Sequence, residues 1–171
     1  MRAHPDPFRR QQGVSLVELL VTLAVLAILL AGSAPAWTQF MARQSLVSAT
    51  NSLVTGLQLT RYRAISSGRP TRLCAAIASP RCTGTADWSS GWRVQPDNGA
   101  LPVAASERGH LPAGVEVSLS QGRQGVRFLP DGRSPGTNLT LHLCSRNRAS
   151  RQVIVSNAGR TRITPILDTP C

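Results

Sequence analysis

Residues Gly13 to Ala34 read GVSLVELLVTLAVLAILLAGSA, a long apolar run that carries a single acid, Glu18, near its start. From Val14 onward only Ser15, Glu18, Thr22, Gly32 and Ser33 interrupt the apolar side chains. A helix rises about 1.5 Å per residue, so this stretch has the length of a bilayer core roughly 30 Å thick. Arg2, Arg9 and Arg10 precede it, and basic residues hold their side of a spanning helix in the cytoplasm. The expectation is one membrane pass through residues 14–34, with the bulk of the chain outside.

Glu18 is out of place in such a helix. An ionised carboxylate inside a span costs at least roughly 2.5 kcal/mol on insertion scales, so a partner is expected. Cleavage after Gly13 would free an ammonium on Val14, one helical turn from the Glu18 carboxylate, and a neighbouring subunit's ammonium would serve equally. Either arrangement suggests helices packed against one another.

The stretch Gly13-Val14-Ser15-Leu16-Val17-Glu18-Leu19-Leu20 resembles the class III signal of type IV pilins and type II secretion pseudopilins. That resemblance implies that a prepilin peptidase cuts after Gly13 and N-methylates Val14, and that Glu18 registers subunits during filament assembly. Pro35 matches a proline common in the family, whereas Val14 stands where phenylalanine or methionine is more usual. An ordinary secretory signal cut near Ala34-Pro35-Ala36 fits less well. Its apolar core would exceed the usual length of roughly 7 to 15 residues and would carry Glu18.

The 171 residues then divide into a cleaved leader (1–13), a membrane and filament-core helix (14–34), an amphipathic continuation (35–68) and a β-rich globular domain with a basic tail (69–171). In the continuation Leu46, Thr50, Leu53, Leu57, Arg61 and Ala64 form one stripe at helical spacing, which Val54 and Ile65 widen. Gly68 and Pro70 end it. Strands are expected at 71–77, 91–95, 115–119, 125–129, 139–143 and 151–156, with residues 96–114 as a flexible loop. The fold class is α+β and type IV pilin-like, a long N-terminal helix packed on a mainly antiparallel sheet. Aromatic residues are only 4% of the chain, so the core should rest on Val, Leu, Ile and Ala, helped by Trp37, Trp88 and Trp92.

A second resemblance lies in the outer domain. Cys74 and Cys82, Trp88-Ser89-Ser90-Gly91-Trp92-Arg93-Val94 with Asp97, Phe128 and Pro130, Asp131-Gly132, and Gly159-Arg160-Thr161-Arg162 are similar to the FimT/GspH group of minor pilins and pseudopilins. The four cysteines, Cys74, Cys82, Cys144 and Cys171, lie on the oxidising side of the expected membrane and allow three pairings. Local closure favours Cys74 with Cys82 and Cys144 with Cys171. No CxxC pair is present and His142 is the only histidine near a cysteine, which argues against a metal or other cofactor. His4, His110 and His142 sit in no nucleophile motif, and the acids form no spaced pair, so an enzyme is not expected.

All 19 basic residues are arginine and the net charge is +11. Arg61, Arg63, Arg69 and Arg72 cluster at the helix end, where cations suit the dipole, and read as structural. The tail differs, because Arg146, Arg148, Arg151, Arg160 and Arg162 fall within seventeen residues that contain no acid. If residues 151–156 and 160–164 pair through an Asn157-Ala158-Gly159 turn, Arg160 and Arg162 share a face about 7 Å apart, close to the spacing of successive phosphates. A G-R-x-R tail in FimT-type minor pilins implies DNA capture in natural transformation, by phosphate contacts without sequence preference. A GspH-type pseudopilin would instead be a structural part of a type II secretion system or initiate a pilus. Implied partners are other pilin subunits, the prepilin peptidase, the inner-membrane assembly platform and DNA. The implied location is the bacterial inner membrane, by one helix with the domain periplasmic, followed by a pilus or pseudopilus.

Overall fold

A computed structural model describes residues 13–76, 87–98, 107–136, 138–146, 148–169 and 171. The chain forms two compact units, Met1–Thr38 and Gln39–Cys171.

Within the first unit, helix α1 (Leu16–Ser67) starts two residues later than the apolar run does. Ser15 is the reason, since its Oγ accepts the Glu18 N–H at 3.1 Å and so satisfies one of the helix's free donors. Gly13 and Val14 stay outside the helix. Every Val, Leu and Ile from Leu16 to Leu30 is more than half exposed, so this stretch has no core of its own. Among the described residues no single helix is long and apolar enough to cross a membrane, whereas Leu16–Gly32 and Ala36–Ser67, with Pro35 between them, qualify together as a pair. Trp37 is 65% exposed and is not the core residue it was expected to be.

In the second unit α1 buries a stripe of Ala42, Leu46, Ala49, Leu53, Leu57 and Ala64, all fully enclosed. Thr50 and Thr60 lie in the same stripe, and their hydroxyls donate to the Leu46 and Gly56 carbonyls at 2.6 Å, so neither hydroxyl is orphaned. Each enclosed leucine contributes about 1.5–3 kcal/mol relative to exposure. Ile65 departs from the expected stripe, being 51% exposed. Gly68, at φ 62°, supplies the left-handed residue that ends the helix.

The strands are β1 (Thr71–Ala75), β2 (Trp92–Pro96), β3 (Glu107–Gly109), β4 (Val115–Leu119), β5 (Gly125–Phe128), β6 (Leu139–Ser145), β7 (Ala149–Val155) and β8 (Thr161–Ile163). They make two antiparallel four-stranded sheets, in the orders β3-β2-β1-β5 and β4-β6-β7-β8. The alternation read from sequence holds where one face is buried, as in β4 and β6. One continuous core joins the helix stripe to Leu73, Val94, Val126 and Phe128 of the first sheet and to Val117, Leu141, Leu143 and Val153 of the second.

Strand β3 lies inside the segment expected to be a loop, and Trp92 explains it. The indole lies against Gly56 of α1 and Gly109 of β3, where an added Cβ would come within 2.9 and 2.2 Å of the ring. Trp92 Nε1 donates to Ser52 Oγ at 2.9 Å, and that hydroxyl donates to the His110 carbonyl, also at 2.9 Å. Gly91, at φ 92°, brings the chain so close that a Cβ would meet the Gly109 oxygen at 2.1 Å. The W-x-x-G-W segment is thus a packing device.

Candidate nucleic-acid interface

Strands β7 and β8 pair with Ile154 opposite Arg162 and Val155 opposite Thr161. Their turn is closed by Ser156 N–H to the Arg160 carbonyl at 2.9 Å, Gly159 N–H to the Ser156 carbonyl at 2.8 Å, and Arg160 N–H to Ser156 Oγ at 3.1 Å. Gly159 is buried at φ 76°, and a Cβ there would sit 2.1 Å from the Gly132 oxygen. The opposing turn is equally fixed. Gly132 N–H reaches the Leu129 carbonyl, and Asp131 Oδ1 accepts the Arg133 N–H at 3.0 Å. A further bond, Ser134 N–H to the Asn157 carbonyl at 3.0 Å, locks the two turns together.

Arg160 and Arg162 are therefore displayed from a rigid hairpin. Both are exposed, and neither has an ion-pair partner among the described residues. The ion-paired acids serve elsewhere: Asp168 pairs with Arg43, Glu107 with Arg63, and Asp97 bridges Arg72 and Arg127 at 2.7 Å each. Arg63 and Arg72 thus have the structural role expected of them. Arg61 packs instead on the two turns, its Nε 3.0 Å and 3.3 Å from where Cβ atoms of Gly132 and Gly159 would be.

The remaining tail arginines are not part of this cluster. Arg146, with φ 50°, and Arg148 occupy the β6–β7 turn, where Arg148 N–H closes onto the Ser145 carbonyl. That turn is at the far end of β7, about 20 Å from Arg162 at the usual rise per strand residue. Arg151 is half-buried, with Nε donating to the Thr164 carbonyl at 2.8 Å. The expected single tail patch is corrected to two separate ends, because an intervening strand keeps sequence neighbours apart.

Cys144 and Cys171 form a disulfide, with Cα atoms 5.9 Å apart. Cys74 is also disulfide-bonded, while Cys82 lies outside the described residues. The terminus is held further by mutual backbone bonds between Ser150 and Leu167 and by Asp168, whose Oδ1 accepts from Gln39 Nε2 and Arg43 Nε, each at 2.8 Å. Hydrogen bonding from Arg43 keeps the Asp168 carboxyl below the usual carboxylate range. Beside this strap lies an open cavity of about 650 Å³ lined by Glu116, Ser118, His142, Gln152 and Thr164. Among the described residues no group of three His, Cys, Asp or Glu side chains is placed to hold a metal.

Residues 8–34 match the family described as prokaryotic N-terminal methylation motif, and residues 49–159 match the family described as Type II transport protein GspH. The second match ends at Gly159, so Arg160 and Arg162 lie just beyond it. Type II secretion system protein H of Xanthomonas campestris pv. campestris is 27% identical over 148 residues, which cover 82% of this chain and 76% of that protein. The crystal structure of the type IV minor pilin FimU of Pseudomonas aeruginosa shares the fold, with a TM-score of 0.58 at 24% identity over 76% of this chain and 98% of that one. A second crystal form of the same pilin gives 0.54 at 24% identity over 71% and 97%. The family match takes in the buried helix stripe from Ala49 onward, both sheets as far as β7 and the Gly159 turn, and so the chain belongs to the type II transport protein GspH family of pilins and pseudopilins.

Proposed function

We propose that this protein is a minor pilin that holds extracellular DNA by its phosphate backbone through Arg160 and Arg162, in support of DNA uptake. The observation that carries this reading is the pair of exposed arginines without ion pairs on a hairpin fixed at Gly159. A preorganised guanidinium loses little freedom on binding and matches phosphate oxygens with its planar fork. Arg146 and Arg148 belong to the other end of β7 and are secondary.

Removal of residues 1–13, methylation at Val14 and assembly through Glu18 are part of the same proposal. Gly13 and Val14 lie outside the helix, where a peptidase can reach them, and Glu18 is exposed on the first turn, available to a neighbouring subunit's ammonium. The subunit would rest in the inner membrane by one helix, with its domain periplasmic, until the assembly platform adds it to a filament.

The test is a titration of the purified protein with short duplexes of different sequence across a salt series. Neutralising about three to four phosphates gives a slope of log affinity on log salt near −3 to −4, alike for all sequences. Arg160→Gln with Arg162→Gln should flatten that slope by about two units. Absence of salt-dependent binding, or an unaffected double variant, would favour a second reading. That reading is a structural pseudopilin without DNA contact, supported by the 27% identity to a type II secretion protein.

A further inference from the structure

We propose that Arg61, carried by α1, is a third arginine of this anion site, so that a backbone phosphate is gripped between the helix and the β7–β8 turn. The proposal rests on the reading of Arg160 and Arg162 as the DNA-contacting pair.

Arg61 is half-buried, and its Nε is shielded from solvent with no hydrogen-bond partner among the described residues. A donor in that state is expected to serve a ligand or to be a fault, since buried N–H groups are otherwise satisfied. Its surroundings favour the first. The guanidinium lies over two glycines: Nε is 3.0 Å and Nη2 3.4 Å from the Cβ position of Gly132, and Nε is 3.3 Å from that of Gly159. Gly159 is the residue immediately before Arg160, so Arg61 packs beside the backbone from which Arg160 projects.

The ordinary explanations account for less. Helix-dipole stabilisation falls off beyond the last turn, and α1 has no basic residue there, ending at Ser67. No carboxylate pairs with Arg61 among the described residues, and the ion pairs go to Arg43, Arg63, Arg72 and Arg127. Asp131, the acid of the opposing turn, uses Oδ1 on the Arg133 N–H. Packing of the aliphatic stem would need no charge. Arg61 packs on Gly132 and Gly159, the sequence neighbours of Arg133 and Arg160, so α1, the β7–β8 turn and the segment after β5 meet where these arginines are carried, with Asp131 as the acid of that turn.

The experiment uses the full chain in detergent micelles and a short duplex of arbitrary sequence. Arg61→Met keeps the stem and removes the charge; it should bind about threefold to tenfold more weakly at low salt, with a slope shallower by about one. Arg61→Lys should restore the slope. Arg148→Gln, at the far end of β7, should stay within about twofold of the parent, the modest effect of a remote surface charge. If Arg61→Met binds with the parent's affinity and slope while Arg160→Gln with Arg162→Gln binds weakly, Arg61 is only a support and the inference is overturned, leaving the proposed function intact. A lowered melting temperature with an unchanged slope overturns it equally. Should Arg61→Met not fold, Arg61→Gln carries the same expectation. A double variant that binds like the parent removes the proposed function itself.

Discussion

At the residue scale, exposed arginines and buried glycines divide the labour of the distal hairpin. The side chains of Arg160 and Arg162 make no hydrogen bond or ion pair among the described residues, so either change to Gln should shift stability by no more than about 0.5 kcal/mol. Gly159 is the opposite case. Its φ of 76° and the 2.1 Å approach of the Gly132 oxygen leave no room for a methyl group. Gly159→Ala should cost about 1–3 kcal/mol in thermal or urea melting and weaken DNA binding as well, because the turns must separate. An alanine variant with parental melting would mean that the two turns are not locked. The glycine of this G-R-x-R segment is thus fixed for a reason of space that only the partner turn reveals.

At the scale of elements, the segment after β8 is a strap with two fastenings. The Cys144–Cys171 bond closes a sequence separation of 27, worth roughly 3–4 kcal/mol in the chain-entropy account. Arg43 and Gln39 fasten Asp168 to the helix. Because Asp168 has its carboxyl lowered in the folded protein, its contribution is present above the ordinary carboxylate value near 3.9 and is lost as pH falls through the lowered one. Hydrogen exchange should therefore show faster amides at Ser150 and Leu167 in Cys171→Ser at neutral pH. In the parent the same loosening should appear only in acid, below about pH 4, and Asp168→Asn should abolish that acid step. The ladder from β6 to β8 should change little, since its backbone bonds do not depend on the strap. Equal loosening throughout both sheets would show the strap to be inseparable from the fold.

At the scale of the whole molecule, the proposed function has one chain pass from lipid to water and then join a filament. Glu18→Ala removes a desolvation cost and should insert at least as well as the parent, yet be scarce in sheared filaments because a neighbour's ammonium loses its partner. Equal recovery in the filament fraction would sink the assembly role of Glu18. The sequence by itself determined the parts of this protein that depend on near neighbours. The apolar run with its acid is plain in the residues themselves, and the buried helical stripe and the alternation of β4 and β6 arise from local period, which burial then obeys. Contacts between distant residues belong to the tertiary structure alone. Strand β3 exists where Trp92 needs Gly109, the five tail arginines divide because β7 lies between them, and Arg61 leaves the helix-end group for the Gly159 turn. Spacing along a chain carries no record of which surfaces close upon each other, and packing settles that.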